Sequence, residues 1–204
     1  ASPLFVETSN IVTNPVVTNA VKGKTPILFE YSNTNTSVTK SFKDDANIAN
    51  LTDEKGTTDV TTQGYTFANN GSACTDGSIT VKIAFCLDEV SYIENIQVVS
   101  SKLNKDFDVA KYSVYVGDNE ADLFSSANLL ANVDNTSEKT VSQFVTTRYT
   151  RNLVGQYVGF VFTDPTISKT NADDVYLRLS EIAIFTRKGL TSKGTFTYDD
   201  VKEI

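Results

Sequence analysis

The sequence predicts an all-β protein built as an antiparallel β-sandwich of the jelly-roll kind. Val, Ile, Thr, Tyr and Phe supply 81 of the 204 residues, and these β-branched and aromatic types suit the half-buried surface of a sheet. About eight short segments alternate apolar with polar residues, which is the period of a strand. Because almost no helical segment separates them, their number and spacing favour an antiparallel sandwich over a parallel α/β fold.

The clearest strand lies in the middle of the chain. From Ser78 to Leu87, five apolar residues alternate with more polar ones, as in a strand with one buried face. Short helical turns are expected only within Asp44–Asp59, which also offers a liganding loop, and within Glu120–Leu130. In chain order, the expected strands are Thr25–Ser32, Ser37–Phe42, Ser78–Leu87, Tyr92–Ser100, Ala110–Val116, Thr140–Thr147, Gln156–Thr163 and Asp173–Arg187. Gly64–Phe67 is a weak further strand, and Thr195–Tyr198 is a candidate edge strand.

One domain accounts for most of the chain. We expect residues 25–188 to form the sandwich, residues 1–24 to be an extended N-terminal segment or linker, and residues 189–204 to be a C-terminal edge strand or the start of a linker. Alternation along the strands assigns their inward positions to a single core. The predicted core residues are Ile79, Val81, Ile83, Phe85, Ile96, Val98, Tyr112, Val114, Val158, Phe160, Leu177, Leu179 and Ile182.

Composition excludes several classes of function. The formal net charge is −7 and the sequence pI is about 4.6, which argues against a nucleic-acid partner because phosphate binding needs a basic surface. No run of about 20 apolar residues is present, so no membrane insertion is expected. Histidine is absent, which removes the Ser-His-Asp and Cys-His nucleophile pairs and any histidine-bound catalytic zinc.

A pair of carboxylates is the remaining route to catalysis, as in glycoside hydrolases. Adjacent acidic residues such as Asp88 and Glu89 would face opposite sides of a strand, and nothing in the sequence sets two carboxylates in an aromatic cleft. We therefore expect the chain not to be an enzyme. What remains is an acidic β-sandwich, most simply a binding module.

Cysteine usage and composition bear on the compartment. Cys74 and Cys86 are 12 positions apart. They either close a short disulfide-bonded loop, as in an exported protein, or remain two unpaired thiols. The Thr- and Asn-rich composition without Met is typical of bacterial cell-surface proteins, so an extracellular or cell-surface location is expected.

Five segments share the order and spacing of one protein family. They are ANLTDE from Ala49, SITVKIAFCLDEVSYIENIQVV from Ser78, KYSVYVGDN from Lys111, GQYVGFVF from Gly155 and YLRLSEIAIF from Tyr176. Together they resemble the discoidin, or coagulation factor 5/8 type C, family of galactose-binding-like domains, and in particular its family 32-type carbohydrate-binding modules. The resemblance spans residues 46–188 and implies a jelly roll. The chain has no Trp, whereas family members usually carry one after the turn that ends the third segment.

The resemblance also implies a structural calcium ion near the ANLTDE segment. Calcium takes about six to eight oxygen ligands. The alternative is that Asp53 only caps a turn and that Glu181 is a solvated strand residue. The implied ligands are the Asn50 carbonyl, the Asp53 carboxylate, a Gly56 carbonyl, a Thr58 hydroxyl or carbonyl, and the Glu181 carboxylate.

Sugar binding by carbohydrate-binding relatives implies loops that combine an aromatic face with planar polar groups. Two segments have this character, and both are expected to be loops. The alternative for the second is a solvated hairpin end whose Arg residues pair with carboxylates. The first comprises Tyr65, Phe67, Asn69 and Asn70, and the second comprises Arg148, Tyr149, Arg151 and Asn152.

The resemblance and the composition together predict a non-catalytic carbohydrate-binding module of a secreted or cell-surface multimodular protein. Its partners would be a glycan and the neighbouring domains of a larger polypeptide. The alternative is a structural or adhesion module that binds a protein or spaces its neighbours. Binding to a glycan array distinguishes the two.

Overall fold

The computed structural model describes residues 17–33, 42–44, 48–55, 65–69, 79–102, 111–134, 143–164 and 175–187. Within these ranges the only helical turns are two short 3₁₀ turns, Ile48–Leu51 and Ser126–Asn128. The all-β prediction is therefore confirmed. The nine strands of these ranges are β1 (Val17–Asn19), β2 (Leu28–Asn33), β3 (Phe42–Asp44), β4 (Tyr65–Asn69), β5 (Ile79–Lys102), β6 (Lys111–Gly117), β7 (Leu129–Asp134), β8 (Gln143–Asp164) and β9 (Val175–Arg187).

Two long strands connect the two layers of the sandwich. β5 has 24 residues and β8 has 22, and they pair antiparallel from Ile79 opposite Asp164 to Lys102 opposite Gln143. The N-terminal half of β5 also pairs with β2, and its C-terminal half pairs with β9. The first sheet therefore has the order β2-β5-β8-β6-β7. The second has the order β8-β5-β9-β4-β3, with β1 beside β9.

The two sheets meet where β5 bulges. Its register against β8 shifts between Cys86 and Ser91, and the Ser91 hydroxyl donates a hydrogen bond of 2.8 Å to the Glu89 carbonyl within the bulge. Bulges bend a strand and let it pass from one sheet to another. The expectation of two separate strands here is therefore wrong, because β8 keeps pairing on both sides of the bulge. The same pairing joins the two strands expected within 140–163 into β8.

Strand β7 is missing from the sequence-based expectation, which assigned part of it to a helical turn. Leu129–Asp134 reads LLANVD and lacks clean alternation. It becomes a strand because it pairs with β6, with Val133 opposite Tyr112. Non-local pairing of this kind overrides weak local preference.

One hydrophobic core fills the space between the sheets. The Phe160 and Phe162 rings lie 5.8 Å apart and nearly parallel, and Tyr112 packs 5.4 Å from Phe162. For Ile79 and Leu177 only the backbone is described, so those two core assignments stay predictions. The remaining predicted core residues are all buried, namely Val81, Ile83, Phe85, Ile96, Val98, Tyr112, Val114, Val158, Phe160, Leu179 and Ile182.

The described part of the predicted N-terminal segment belongs to the sandwich. β1 pairs with the end of β9, Val21 is fully buried, and the Ala20 amide donates to the Ile184 carbonyl at 2.8 Å. Residues 17–24 therefore pack against the second sheet, with an edge strand at Val17–Asn19. Residues 1–16 and 188–204 lie outside the described ranges, and with them the expected strand Thr195–Tyr198.

Close approach of β8 to β6 gives a stability prediction at Gly155. A Cβ on this residue would lie 2.5 Å from Val116 Cγ1 and 3.4 Å from the Gly117 carbonyl oxygen. Gly155→Ala should therefore destabilise the fold by about 1–3 kcal/mol, the usual cost of overpacking, measured by urea unfolding followed by circular dichroism. Adding Val116→Ala removes the clashing methyl group and should restore much of the loss. A Gly155→Ala protein with the same free energy of unfolding as the unmodified protein would contradict this packing.

Candidate functional site

Both segments expected to be ligand-binding loops contain strand. Tyr65, Phe67 and Asn69 lie in β4, paired with β9, whereas Asn70 lies outside the described residues. The stretch from Arg148 to Asn152 lies within β8. The expectation of a loop there is wrong, because β8 stays extended through this stretch. Arg148 to Thr150 pair with β5, whereas Arg151 and Asn152 lie at a register shift between Thr150 and Leu153. Arg148 pairs with Gln97, and Tyr149 pairs with Ile96.

The second sheet does not bring these two segments together. β5 and β9 lie between the N-terminal half of β8 and β4. Three strand spacings separate the two segments by about 14 Å. Arg148 and Tyr149 also occupy successive strand positions, which belong to opposite faces of a sheet. The ligand-binding roles of these residues stay predictions.

The outer face of the first sheet carries a shallow groove across β7, β6 and β8, which we call the outer-face groove. Its volume is about 330 Å³. Strand register arranges its outward side chains in two rows. One row is Asp134, Lys111 and Thr163, and the other is Asn132, Ser113 and Val161.

Hydrogen-bond donors and acceptors both lie next to the apolar Val161. The Ser113 hydroxyl donates a hydrogen bond of 2.6 Å to Asn132 Oδ1. This bond orients the Asn132 amide and does not use its two N–H groups. Lys111 Nζ lies 3.8 Å from Asp134 Oδ2, with 48% of the Lys111 side chain and 58% of the Asp134 side chain exposed. Donors and a carboxylate acceptor therefore stand side by side at the surface, within reach of a ligand rich in hydroxyl groups.

An aromatic pair, Tyr115 and Phe124, lies one row beyond the groove. The two rings are 5.3 Å apart in an edge-to-face arrangement. Phe124 lies against Gly159 of β8, where a Cβ would come within 2.8 Å of the ring. Lys82 Nζ lies 5.2 Å from the centre of the Phe124 ring. The glycine in the middle of a central strand is the sequence signal for this close approach.

The segment that carries Phe124 is fixed at both ends. Leu123 is buried, and Asn128 Nδ2 donates to the Asp122 carbonyl at 2.8 Å. Gly117 leaves room for the Asn128 side chain, since a Cβ there would lie 2.9 Å from Nδ2. The aromatic pair is thus held in place on the same sheet face as the groove.

Beside the aromatic pair, Cys86 and Tyr157 are neighbours on the exposed side of the first sheet. Cys86 is half-buried, and its Sγ lies 3.3 Å from the Leu87 carbonyl oxygen. A hydrogen bond with this thiol raises the pKa of the Tyr157 hydroxyl. Cys74 lies outside the described residues, so the expected choice between a disulfide and free thiols stays open.

A second cavity, of about 280 Å³, lies at the β5 bulge and includes Thr18, Asp88 and Thr186 in its lining. Its polar groups are largely committed to the fold. Arg187 donates two hydrogen bonds to Glu94, at 2.9 and 2.7 Å, and this contact raises the pKa of the guanidinium. Asp88 forms an ion pair with Lys24. The polar groups of the outer-face groove are paired as well, Lys111 with Asp134 and Ser113 with Asn132, but that groove lies beside an aromatic pair.

The structure describes three of the five residues expected to bind calcium, namely Asn50, Asp53 and Glu181. Glu181 is only 5% exposed, and its Oε1 accepts a hydrogen bond of 3.1 Å from the Glu54 amide. The alternative that Glu181 is solvated is therefore wrong. Asp53 Oδ1 accepts from the Lys55 amide at 2.9 Å, as a turn-capping residue does. Asn50 is half-buried in the 3₁₀ turn. Two further expected ligands, Gly56 and Thr58, lie outside the described ranges.

A β-bulge in β9 sits beside this carboxylate. The register moves from Val99 opposite Glu181 to Ser100 opposite Leu179, which leaves Ser180 as the extra residue. Ser180 is fully buried, and its hydroxyl has no hydrogen-bond partner in the described part of the chain. Within the same residues, no three acidic or cysteine side chains cluster as a metal site, so a cation here would need carbonyl and hydroxyl ligands as well.

Two chain segments, residues 17–24 and 48–55, interlock next to this site. The Gly23 amide donates to the Thr52 carbonyl at 2.8 Å, and the Thr52 hydroxyl donates to the Lys24 carbonyl at 2.9 Å. Glu54 adopts a positive φ of 62° and pairs with Lys22 at 3.0 Å. Hydrogen bonds from Lys22 and then Asn19 lower the pKa of Glu54.

Comparison with protein families and with curated proteins finds no match. Solved structures do resemble the chain. A CBM32 module of a family 31 glycoside hydrolase from Clostridium perfringens has a TM-score of 0.47 at 14% identity, over 84% of this chain and 95% of that one. A fucolectin from striped bass serum has a TM-score of 0.46 at 12% identity, over 78% of this chain and 46% of that one. A fucose-binding module of Streptococcus pneumoniae has a TM-score of 0.40 at 10% identity, over 86% of this chain and 98% of that one.

No helix in the described ranges is long and apolar enough to cross a membrane.

The Glu54–Lys22 pair gives a pH-dependent stability prediction. Because the folded pKa of Glu54 is lowered from about 4.5, its contribution is present above that pH and is lost as the pH falls through the folded value. Glu54→Gln should therefore destabilise the protein at pH 7, by under about 1 kcal/mol for so exposed a pair. The difference from the unmodified protein should shrink as the pH is lowered below 4.5, in thermal melts across a pH series. In a Lys22→Met background the effect of Glu54→Gln should shrink; an unchanged effect would show that Lys22 is not its cause.

Proposed function

We propose that this chain is a carbohydrate-binding domain without catalytic activity and that the outer-face groove is its binding site. The observation that carries the proposal is the composition of the groove. Asn132, Lys111 and Asp134 present hydrogen-bonding groups around the apolar Val161, next to an aromatic pair. A sugar ring has the same two-sided character, with hydroxyl groups at its rim and C–H groups on its faces.

The size of the groove supports a small ligand held by few contacts. Its volume of about 330 Å³ falls at the lower end of the range of small-molecule sites, about 300–1,000 Å³. Exposed hydrogen bonds contribute about 0.5–1.5 kcal/mol each, and those to a charged group about 1.5–3 kcal/mol. A site of this kind binds with modest affinity and gains strength when several copies or modules act together.

The absence of catalysis is part of the proposal. Among the described residues that line the groove, Asp134 is the single carboxylate, whereas glycoside hydrolysis uses two. The chain has no histidine to supply a general base. A secreted or cell-surface multimodular protein is the setting that the sequence composition and the family resemblance favour for such a domain.

The glycan-binding prediction is tested with a glycan array followed by calorimetry. Asn132→Ala removes two amide donors and the partner of Ser113, so affinity for the best array ligand should fall about 3- to 10-fold, the loss of about one hydrogen bond. Thermal stability should change little because Asn132 is exposed. Asn119→Ala, an exposed amide in the turn after β6, is the matched control and should bind normally.

Two outcomes would contradict this assignment in different ways. Normal binding by Asn132→Ala together with weakened binding by Arg151→Ala would move the site to the segment that the sequence predicts. An array with no glycan signal, together with direct capture of a protein partner, would favour the structural or adhesion module instead.

We also propose that a structural calcium ion binds between residues 50–58 and β9. The donor chemistry fits in part, since the Glu181 carboxylate and the Ser180 hydroxyl are both buried there. Asn50 and Asp53 would add oxygen ligands from the adjoining turn, and Gly56 and Thr58 are the further ligands that the family resemblance implies. The ion would bind ligands from both the turn and β9 and so link the two.

Removal of the metal gives a direct test. Calcium at about 100 times its Kd should stabilise the fold by about 2.7 kcal/mol, so EDTA should lower the Tm and added calcium should restore it. Glu181→Gln should abolish the calcium response, whereas Glu89→Gln, an exposed carboxylate on the β5 bulge, should keep it. Equal melting temperatures in EDTA and calcium, with no calcium found by elemental analysis, would refute the site.

A further inference from the structure

We infer that the outer-face groove selects uncharged sugars and that Asp134 is the residue that excludes acidic ones. This inference rests on the proposed glycan-binding function and names the class of ligand for that site. It follows from how the two charges of the groove are arranged.

Among the described residues that line the groove, Lys111 and Asp134 are the charged ones, and their charges are opposite. They stand opposite each other on β6 and β7. Their separation of 3.8 Å and their exposed side chains make this a weak surface pair. A ligand can therefore insert a hydroxyl group between them at little cost, donating to the carboxylate and accepting from the ammonium group.

A carboxylate or sulfate group on the ligand gains little binding energy at the same position. To reach Lys111 it must approach Asp134, so the attraction and the repulsion largely cancel. Like charges also repel when a desolvated ligand settles over Val161 and Ser113, where less water screens them. The whole chain carries a net charge of −7, which further lowers the local concentration of anionic polymers.

The neutral contacts of the groove provide the attraction that remains. The Ser113 hydroxyl fixes the Asn132 amide at 2.6 Å, and Thr163 stands in the row of Lys111 and Asp134. Hydroxyl and amide groups bind sugar hydroxyls equally well at any ionic strength. Binding of the preferred ligand should therefore change little with salt, unlike binding driven by charge.

The experiment uses a printed panel of matched oligosaccharides, in which each neutral hexose chain is paired with the uronate chain that carries a carboxylate at C6. The unmodified protein should bind one or more neutral members and bind each uronate counterpart at least about tenfold more weakly. Asp134→Asn should raise the uronate-to-neutral affinity ratio about tenfold in 20 mM salt, and 0.5 M salt should remove most of that gain.

Asp118→Asn is the matched control, because it makes the same change in net charge at an exposed turn residue outside the groove. It should leave the ratio unchanged, and melting curves should show that both variants are folded. A ratio that Asp134→Asn does not raise, or uronate binding by the unmodified protein equal to neutral binding, would overturn the charge selection alone. No binding to any member of the panel would overturn the proposed function and this inference with it.

Discussion

Continuous antiparallel pairing of β5 with β8 is the constraint on which the rest of the structure depends. Both strands pass through the bulge between Cys86 and Ser91, so each sheet uses a different half of the same ladder. Every other described strand is added to one side of this pair, directly or through a neighbour. The shared ladder also fixes which residues face inward in both sheets, since a one-residue slip would turn the core side chains of β5 towards solvent.

Local patterning was enough to predict the core but not the joining of its strands. The alternation of Val81, Ile83 and Phe85 specified the buried face of β5 because side-chain period is a local property. Asp88 and Glu89 lie between two strands that the sequence predicts separately, and only pairing with β8 on both sides makes them part of a bulge. The polar stretch from Arg148 to Asn152 likewise looked like a loop, because its extended form comes from the pairing of β8 with β5 on either side of Arg151 and not from its own composition.

The candidate sites depend still more on contacts between distant parts of the chain. Glu181 was expected near the ANLTDE segment from family resemblance, and its bond to the Glu54 amide joins residues 127 positions apart. The outer-face groove had no such guide. Ser113 and Asn132 are ordinary polar residues in sequence, and they become a site only through the register of β6 with β7. Gly159, in the middle of a central strand, was the local signal that a side chain, Phe124, packs closely on that sheet.

The pairing of β1 with β9 determines how the domain responds to mechanical force. Val17 lies opposite Arg187, so the described chain enters and leaves the sandwich at one point. Tension applied at these two residues would pull across the strands, so the described β1–β9 ladder would open one pair at a time, from Val17 to Asn19, instead of shearing as a whole.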